Sequence, residues 1–229
     1  MGKEKAGLLD MTKRSFLKRA KKPLGIIFDR ISKLEPLPLS ELDPKKTALI
    51  VVDMINGFVK KGALSSPNVL AINQPIADLC KACDEAGIRV AAVCDSHPEG
   101  SPEFSSFPPH CVMGSDECEV TDEIQAAAKL NIIQKGSTNG MLEPALKWWA
   151  DMSGCDTFII VGDCTDLCVL QLATSLKGWL NTKGEHGRVI VPAALVATYD
   201  LAEHTADLQN LFALYNMSLN GVELCRDIN

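Results

Sequence analysis

Three side chains of complementary chemistry follow separate apolar runs of this sequence: Asp53 and Lys135 at the ends of two, and Cys168 in the turn after a third. An acid can take the proton of a thiol, the resulting thiolate can attack a carbonyl carbon, and a nearby ammonium can hold both anions in place. Cys168 follows Gly162-Asp-Cys-Thr-Asp-Leu and sits at the opening of a helical pattern over 166–182. Unpaired N–H groups and the helix dipole favour a thiolate there. Backbone N–H groups of the turn before that helix could line an oxyanion hole. A buried structural cysteine is the competing reading of the same position.

A second constellation follows another run. Asp95-Ser-His97 and Phe107-Pro-Pro-His110-Cys111 place two of the four histidines within a 14-residue window. Asp-x-His sets two ligands on one side of an extended chain, and His110 can fold back to complete a face. Three N/O ligands with open positions describe a catalytic rather than a structural metal site, with Glu103 as an outer-sphere or fourth ligand. A polar loop carrying two surface histidines is the alternative.

The elements that must position these residues are short and apolar. Strands are predicted at 47–53, 87–95, 131–134, 157–162, 188–191 and, weakly, 222–225, with helices at 72–86, 119–129, 141–152, 166–182 and 201–215. This alternation predicts a three-layer α/β/α, Rossmann-like fold around a mainly parallel sheet of about six strands. Ligands bind beyond the carboxyl ends of such strands, where Asp53, Asp95, Lys135 and the Gly162–Cys168 turn are all expected.

The chain has 229 residues, 46% hydrophobic and 23% charged, which suits one soluble globular domain and excludes disordered and fibrous classes. No apolar stretch reaches the length of a membrane span, and a net charge of −6 offers nothing to nucleic acid. That average hides a split. Residues 1–35 carry ten Lys/Arg against four Asp/Glu, and the remainder thirteen against twenty-five. The expected organisation is therefore a basic extension with a Pro-rich connector over 1–46 and a working domain over 47–229. Phe16 to Ile31 could form an amphipathic helix. Nine cysteines without a framework predict a reducing, cytoplasmic setting. Cys80-x-x-Cys83 falls in mid-helix, away from the helix N-terminus a redox pair needs.

Three ordered motifs, Val51-Val-Asp-Met-Ile-Asn-Gly-Phe58, Lys135-Gly136 and Gly162-Asp-Cys-Thr-Asp-Leu-Cys-Val169, resemble the isochorismatase-like cysteine hydrolases. Asp95-Ser-His-Pro98 with Phe107-Pro-Pro-His-Cys-Val-Met-Gly114 is similar to the nicotinamidase branch. The resemblance spans about Thr47 to Cys225. It implies a triad of Asp53, Lys135 and Cys168, and an oxyanion hole from the amides of Cys164 and Cys168 beside a non-proline cis peptide. It further implies a divalent metal (zinc, with manganese or iron as alternatives) on Asp95, His97 and His110, and substrate contacts from Phe58 and Phe107. The implied reaction hydrolyses nicotinamide to nicotinate and ammonia through a thioester, in a homo-oligomer.

Departures from the family pattern fall on the expected pocket walls. Phe107 stands where tryptophan is common, Gly114-Ser-Asp-Glu-Cys-Glu119 replaces the usual glycine-rich segment, and Ser137-Thr-Asn-Gly-Met-Leu142 follows the lysine. Another small amide or a vinyl ether is the alternative substrate. Two rival readings stand beside this one. A haloacid-dehalogenase-type phosphatase would use Asp53 as nucleophile but wants a second acid at Ile55. A non-catalytic scaffold would have no need of intact Asp, Lys and Cys positions.

Overall fold

The computed structural model describes residues 7–184 and 186–229, so the first six residues of the extension lie outside the described residues. Its centre is a parallel sheet. Strands β1 (Thr47–Val52), β2 (Arg89–Asp95), β3 (Leu130–Lys135), β4 (Thr157–Asp163), β5 (Arg188–Pro192) and β7 (Glu223–Cys225) lie in the order β3-β2-β1-β4-β5-β7. All six residues of β1 and all seven of β4 are buried, as continuous apolar runs require when helices cover both faces. The expected six strands are present, joined by the two-residue β6 (Val196–Ala197) against β4. A two-residue strand carries no alternation for a sequence to show.

Helices fill both faces. On one side lies α3 (Pro67–Glu85), burying Val69, Ile72, Ile76, Leu79, Cys80 and Cys83 at helical spacing. It begins five residues before the expected start, because Ser66 caps the Asn68 amide and Pro67 takes the first-turn position that proline favours. Burial pushes the Cys80 and Cys83 thiols up to about 12, the reverse of what a redox pair needs. The other face carries α5 (Pro144–Ser153), α6 (Leu170–Thr182) and α7 (Ala206–Leu219), with Leu146, Leu172, Leu176, Leu214 and Met217 in one apolar cluster. Two shorter helices, α2 (Asn56–Val59) and α4 (Asp122–Ala127), complete the set beyond the extension. Helix α4 is shorter than the expected 119–129, since Glu119 and Thr121 are extended between the tight turn Asp116–Cys118 and the helix, and Ala128 is extended again after it.

The register brings the functional candidates to one edge. Val52 stands opposite both Val93 and Gly162, and Asp95 stands opposite Lys135. Gly162 is required there: its φ is +120°, and a Cβ would lie 2.1 Å from the Val52 carbonyl oxygen.

In the extension, α1 (Lys13–Ile31) is capped by Thr12, packs along α7 and buries no residue fully. The connector pairs with the chain end: Arg226 N–H donates to the Glu35 carbonyl at 2.8 Å, and Leu37 N–H to Asp227 at 2.9 Å. Leu42 is buried in the core. No described helix is long and apolar enough to cross a membrane.

Candidate active site

Each strand end presents its residue by a local device. Directly after β1 the backbone turns into the left-handed region at Asp53, with φ +53°, a conformation aspartate tolerates better than most residues. That turn lets the Asp53 carboxylate accept the Asp95 N–H at 2.9 Å. Lys135 is the last residue of β3, on the strand beyond β2. Its ammonium lies 2.9 Å from Asp53 Oδ2, pairs with Asp95 Oδ1, and stands 3.6 Å from Cys168 Sγ. Asp53, Asp95 and Lys135 are each 1% exposed.

Cys168 comes from a π-helical turn, Thr165–Val169, that precedes α6. The peptide bond between Asp163 and Cys164 is cis, and the Cys164 carbonyl accepts the N–H groups of Leu167 and Val169. The sequence leads one to expect a thiolate favoured by the helix opening, but burial outweighs the dipole. Burial pushes the Cys168 thiol well up, Lys135 opposes this, and Asp53 and Asp95 reinforce it. Asp53 is pushed up to about 6, chiefly by burial and against the pull of Lys135. Burial acts the same way on Asp95, yet Lys135 and the two histidines outweigh it and hold that carboxyl below the ordinary range. Lys135 stays charged despite its burial, because Asp53, Cys168 and Asp95 surround it.

The histidine segment folds back on itself. His97 N–H donates to the Cys111 carbonyl at 2.9 Å and Met113 N–H to the His97 carbonyl at 2.8 Å, which brings His110 beside His97. Ligand atoms of Asp95, His97, Glu103 and His110 all lie within 4.8 Å of one another. His97 Nε2 is 3.4 Å from Asp95 Oδ1 and 3.9 Å from Glu103 Oε1, and His110 Nε2 is 3.7 Å from Asp95 Oδ2. Ligands held at about 2.0–2.1 Å around a tetrahedral ion stand about 3.3 Å apart, close to this spacing. Both ring nitrogens of His97 are buried without a hydrogen-bond partner. His110 Nδ1 donates to the Pro108 carbonyl at 2.8 Å, which leaves Nε2 with its lone pair towards the cluster. The donor set thus fits a divalent ion, with Glu103 within reach as a further oxygen donor.

One narrow cavity joins the two groups. Asp53, Asp95, Glu103, His110, Asp163, Cys164 and Cys168 line it, between walls of Phe58, Leu64, Phe107, Thr138, Leu167 and Tyr199. Its free volume is about 30 Å³. Phe58 and Phe107 both line it and both pack on His110, with ring centres 5.6 and 6.1 Å away. His97 sits behind the lining, covered by Phe104. Ile55 is fully buried in the core, so the phosphatase reading finds no second acid.

Sequence reasoning missed Tyr199, Thr138, Leu64 and Phe104, and it passed over Asp163 inside a motif it had singled out. Tyr199 follows the two-residue β6 and stacks on His204 at 4.0 Å, nearly parallel. His204 in turn lies 2.8 Å from Asp166 in the Cys168 turn. Nothing in local spacing connects residues 166, 199 and 204.

Comparison with known proteins agrees with this geometry. The isochorismatase domain family matches residues 47–220. Nicotinamidase 1 of Arabidopsis thaliana is 27% identical, covering 79% of this chain and 82% of the relative. The nicotinamidase/pyrazinamidase of Mycobacterium tuberculosis is 32% identical, over 55% of this chain and 76% of the relative. Among solved structures, N-carbamoylsarcosine amidase from Thermoplasma acidophilum superposes with a TM-score of 0.65 at 27% identity, covering 79% of this chain and 96% of that one. The chain belongs to the isochorismatase family, on the side of it that hydrolyses amide C–N bonds.

Proposed function

We propose that the chain is a cysteine amidohydrolase that converts nicotinamide to nicotinate and ammonia through a thioester on Cys168. One observation carries the reading: a buried ammonium, Lys135, sits between an acid and a thiol, 2.9 Å from Asp53 and 3.6 Å from Cys168, on a cavity with aromatic walls. Charge transfer within such a group costs little. The Cys168 proton moves to Asp53, and Lys135 keeps the anionic charge balanced wherever it lies.

The chemistry then follows in order. The Cys168 sulfur attacks the amide carbon, and the oxyanion is received by the backbone N–H groups of Cys164 and Cys168. As the C–N bond breaks, protonated Asp53 gives its proton to the departing nitrogen, which leaves as ammonia. Asp53 next takes a proton from water, whose oxygen attacks the thioester. The acid product leaves, and the proton returns to the Cys168 sulfur. Asp53 is suited to both directions because its carboxyl, at about 6, ionises close to neutral pH.

Asp95, His97, His110 and Glu103 would hold a divalent metal, for which zinc suits two imidazoles and two carboxylates. When bound, that ion supplies a Lewis acid beside the nucleophile, able to orient water and a ring nitrogen of the substrate. Phe58 and Phe107 offer flat faces that suit an aromatic amide. Nine free cysteines suit a reducing cytoplasmic setting, and the reading carries with it a homo-oligomer. The test is ammonia release from nicotinamide, pyrazinamide and small aliphatic amides, with metal content recorded. Turnover of the aromatic amides supports the reading; turnover of none refutes it.

A further inference from the structure

The turn that carries Cys168 is joined to the segment after β6 by an imidazole that the proposed chemistry leaves unused. Asp166 lies in the π-helical turn Thr165–Val169, and its Oδ2 is 2.8 Å from His204 Nε2. His204 Nδ1 donates to the Tyr199 carbonyl at 2.9 Å. The rings of His204 and Tyr199 stack with centres 4.0 Å apart and planes at 7°. Tyr199 lines the cavity together with Leu167 and Cys168, whereas His204 stands outside the lining. One side chain thus touches both the turn that presents the nucleophile and a wall of the cavity.

The surroundings make this link a firm one. A carbonyl only accepts, so the Nδ1 hydrogen is committed to Tyr199, and the Nε2 contact with Asp166 takes a further proton and is charge-assisted. The side chains of His204 and Asp166 are only 21% and 12% exposed. A tight turn holds the histidine: its N–H donates to the Leu201 carbonyl at 2.8 Å, and Leu201 N–H donates to the His204 carbonyl at 2.9 Å. Asp200 ties the same segment to two helices, accepting Ala206 N–H at 2.7 Å at the start of α7 and Asn68 Nδ2 at 2.9 Å from α3. The π-helical turn, a rare geometry kept mostly at functional sites, is therefore braced from outside through Asp166. Misplacing a reacting group by about 1 Å can cost about 100-fold in rate, so such a brace bears on the chemical step.

We infer that His204 is a positioning residue with two separable arms: through Asp166 it fixes the turn that presents Cys168, and through its ring it holds Tyr199 as a wall of the cavity. The inference rests on the amidase reading and adds to it a group that never meets the substrate. The first arm acts on turnover and the second on substrate binding.

Two substitutions separate the arms. His204→Gln keeps a donor for Asp166 and loses the ring; His204→Phe keeps the ring and loses the donor. Ammonia release from nicotinamide is measured, with kcat taken per folded molecule as judged by circular dichroism. His204→Gln should hold kcat within about threefold of wild type and raise KM about fivefold or more. His204→Phe should do the reverse, lowering kcat about tenfold or more with KM within about threefold. Tyr199→Leu should follow the glutamine pattern and Asp166→Ala the phenylalanine pattern. The double variant Asp166→Ala/His204→Phe should lie within about twofold of the slower single variant, because both changes break one contact. If Asp166→Ala does not fold, the two His204 variants decide the matter alone. Wild-type kcat and KM in both His204 variants, the same change in both, or losses that multiply in the double variant would overturn the inference. A wild-type protein that releases no ammonia refutes the amidase reading itself, and the inference falls with it.

Discussion

Replacing Lys135 by methionine tests the electrostatic arrangement most severely, because the stem volume is kept and only the charge is lost. In wild type the ammonium lies 2.9 Å from Asp53 Oδ2 and pairs with Asp95, all three side chains being almost fully buried. At that distance a single pair interacts by about 6 kcal/mol at an effective dielectric near 20, before desolvation is counted. Removing one partner of a buried pair costs about 3–5 kcal/mol net, since the other charges stay behind uncompensated. For a chain of this size that lowers Tm by about 6–20 °C.

The loss must also depend on pH. Asp53 already ionises near 6 in the folded protein, against an ordinary value of 3.8. Between those values the folded state binds more protons than the unfolded state, so this group contributes to stability at low pH and the contribution is lost as pH rises through 6. Without Lys135 the folded value climbs further, and the window of loss extends to higher pH. Thermal melts of wild type and Lys135→Met at pH 5.5 and pH 8 should therefore show a gap that widens at pH 8. A Tm shift of no more than a degree or two, or a gap independent of pH, would refute the reasoning.

Three further outcomes follow from the same geometry. If Asp53 is the proton acceptor, the rate of ammonia release should fall about tenfold from pH 7 to pH 5, tracking a group near 6; a flat profile across that range would contradict the assignment. Gly162→Ala drives a Cβ to 2.1 Å from the Val52 carbonyl oxygen and should cost at least about 3 kcal/mol in denaturant unfolding, whereas an unchanged midpoint would show that the two strands do not approach so closely. His97→Ala should lower the bound metal measured by elemental analysis; unchanged stoichiometry would exclude His97 as a ligand.

The parallel sheet was readable from the sequence because its strands are buried on both faces, so Thr47–Val52 and Thr157–Asp163 stand out as unbroken apolar runs. The strand-end residues followed from the rule that ligands gather at carboxyl ends, and Asp53, Lys135 and Cys168 do meet there. The sequence names Glu103 as an outer-sphere or fourth ligand, but its distance from His97 depends on how the loop from Pro98 to Cys111 folds back. Tyr199 was hidden for a different reason: it reaches the cavity only because the two-residue β6 lies against β4. The protonation of Cys168 is also a property of packing, as a helix opening argues for thiolate until burial is counted.

The central claim is that Cys168 forms a covalent bond to the acyl group of an amide. Wild-type protein mixed with nicotinamide and quenched in acid should yield a peptide containing Cys168 that carries the nicotinoyl group, detected by mass spectrometry. Cys168→Ala, folded by circular dichroism, should release no ammonia. Normal ammonia release from that variant would contradict the account.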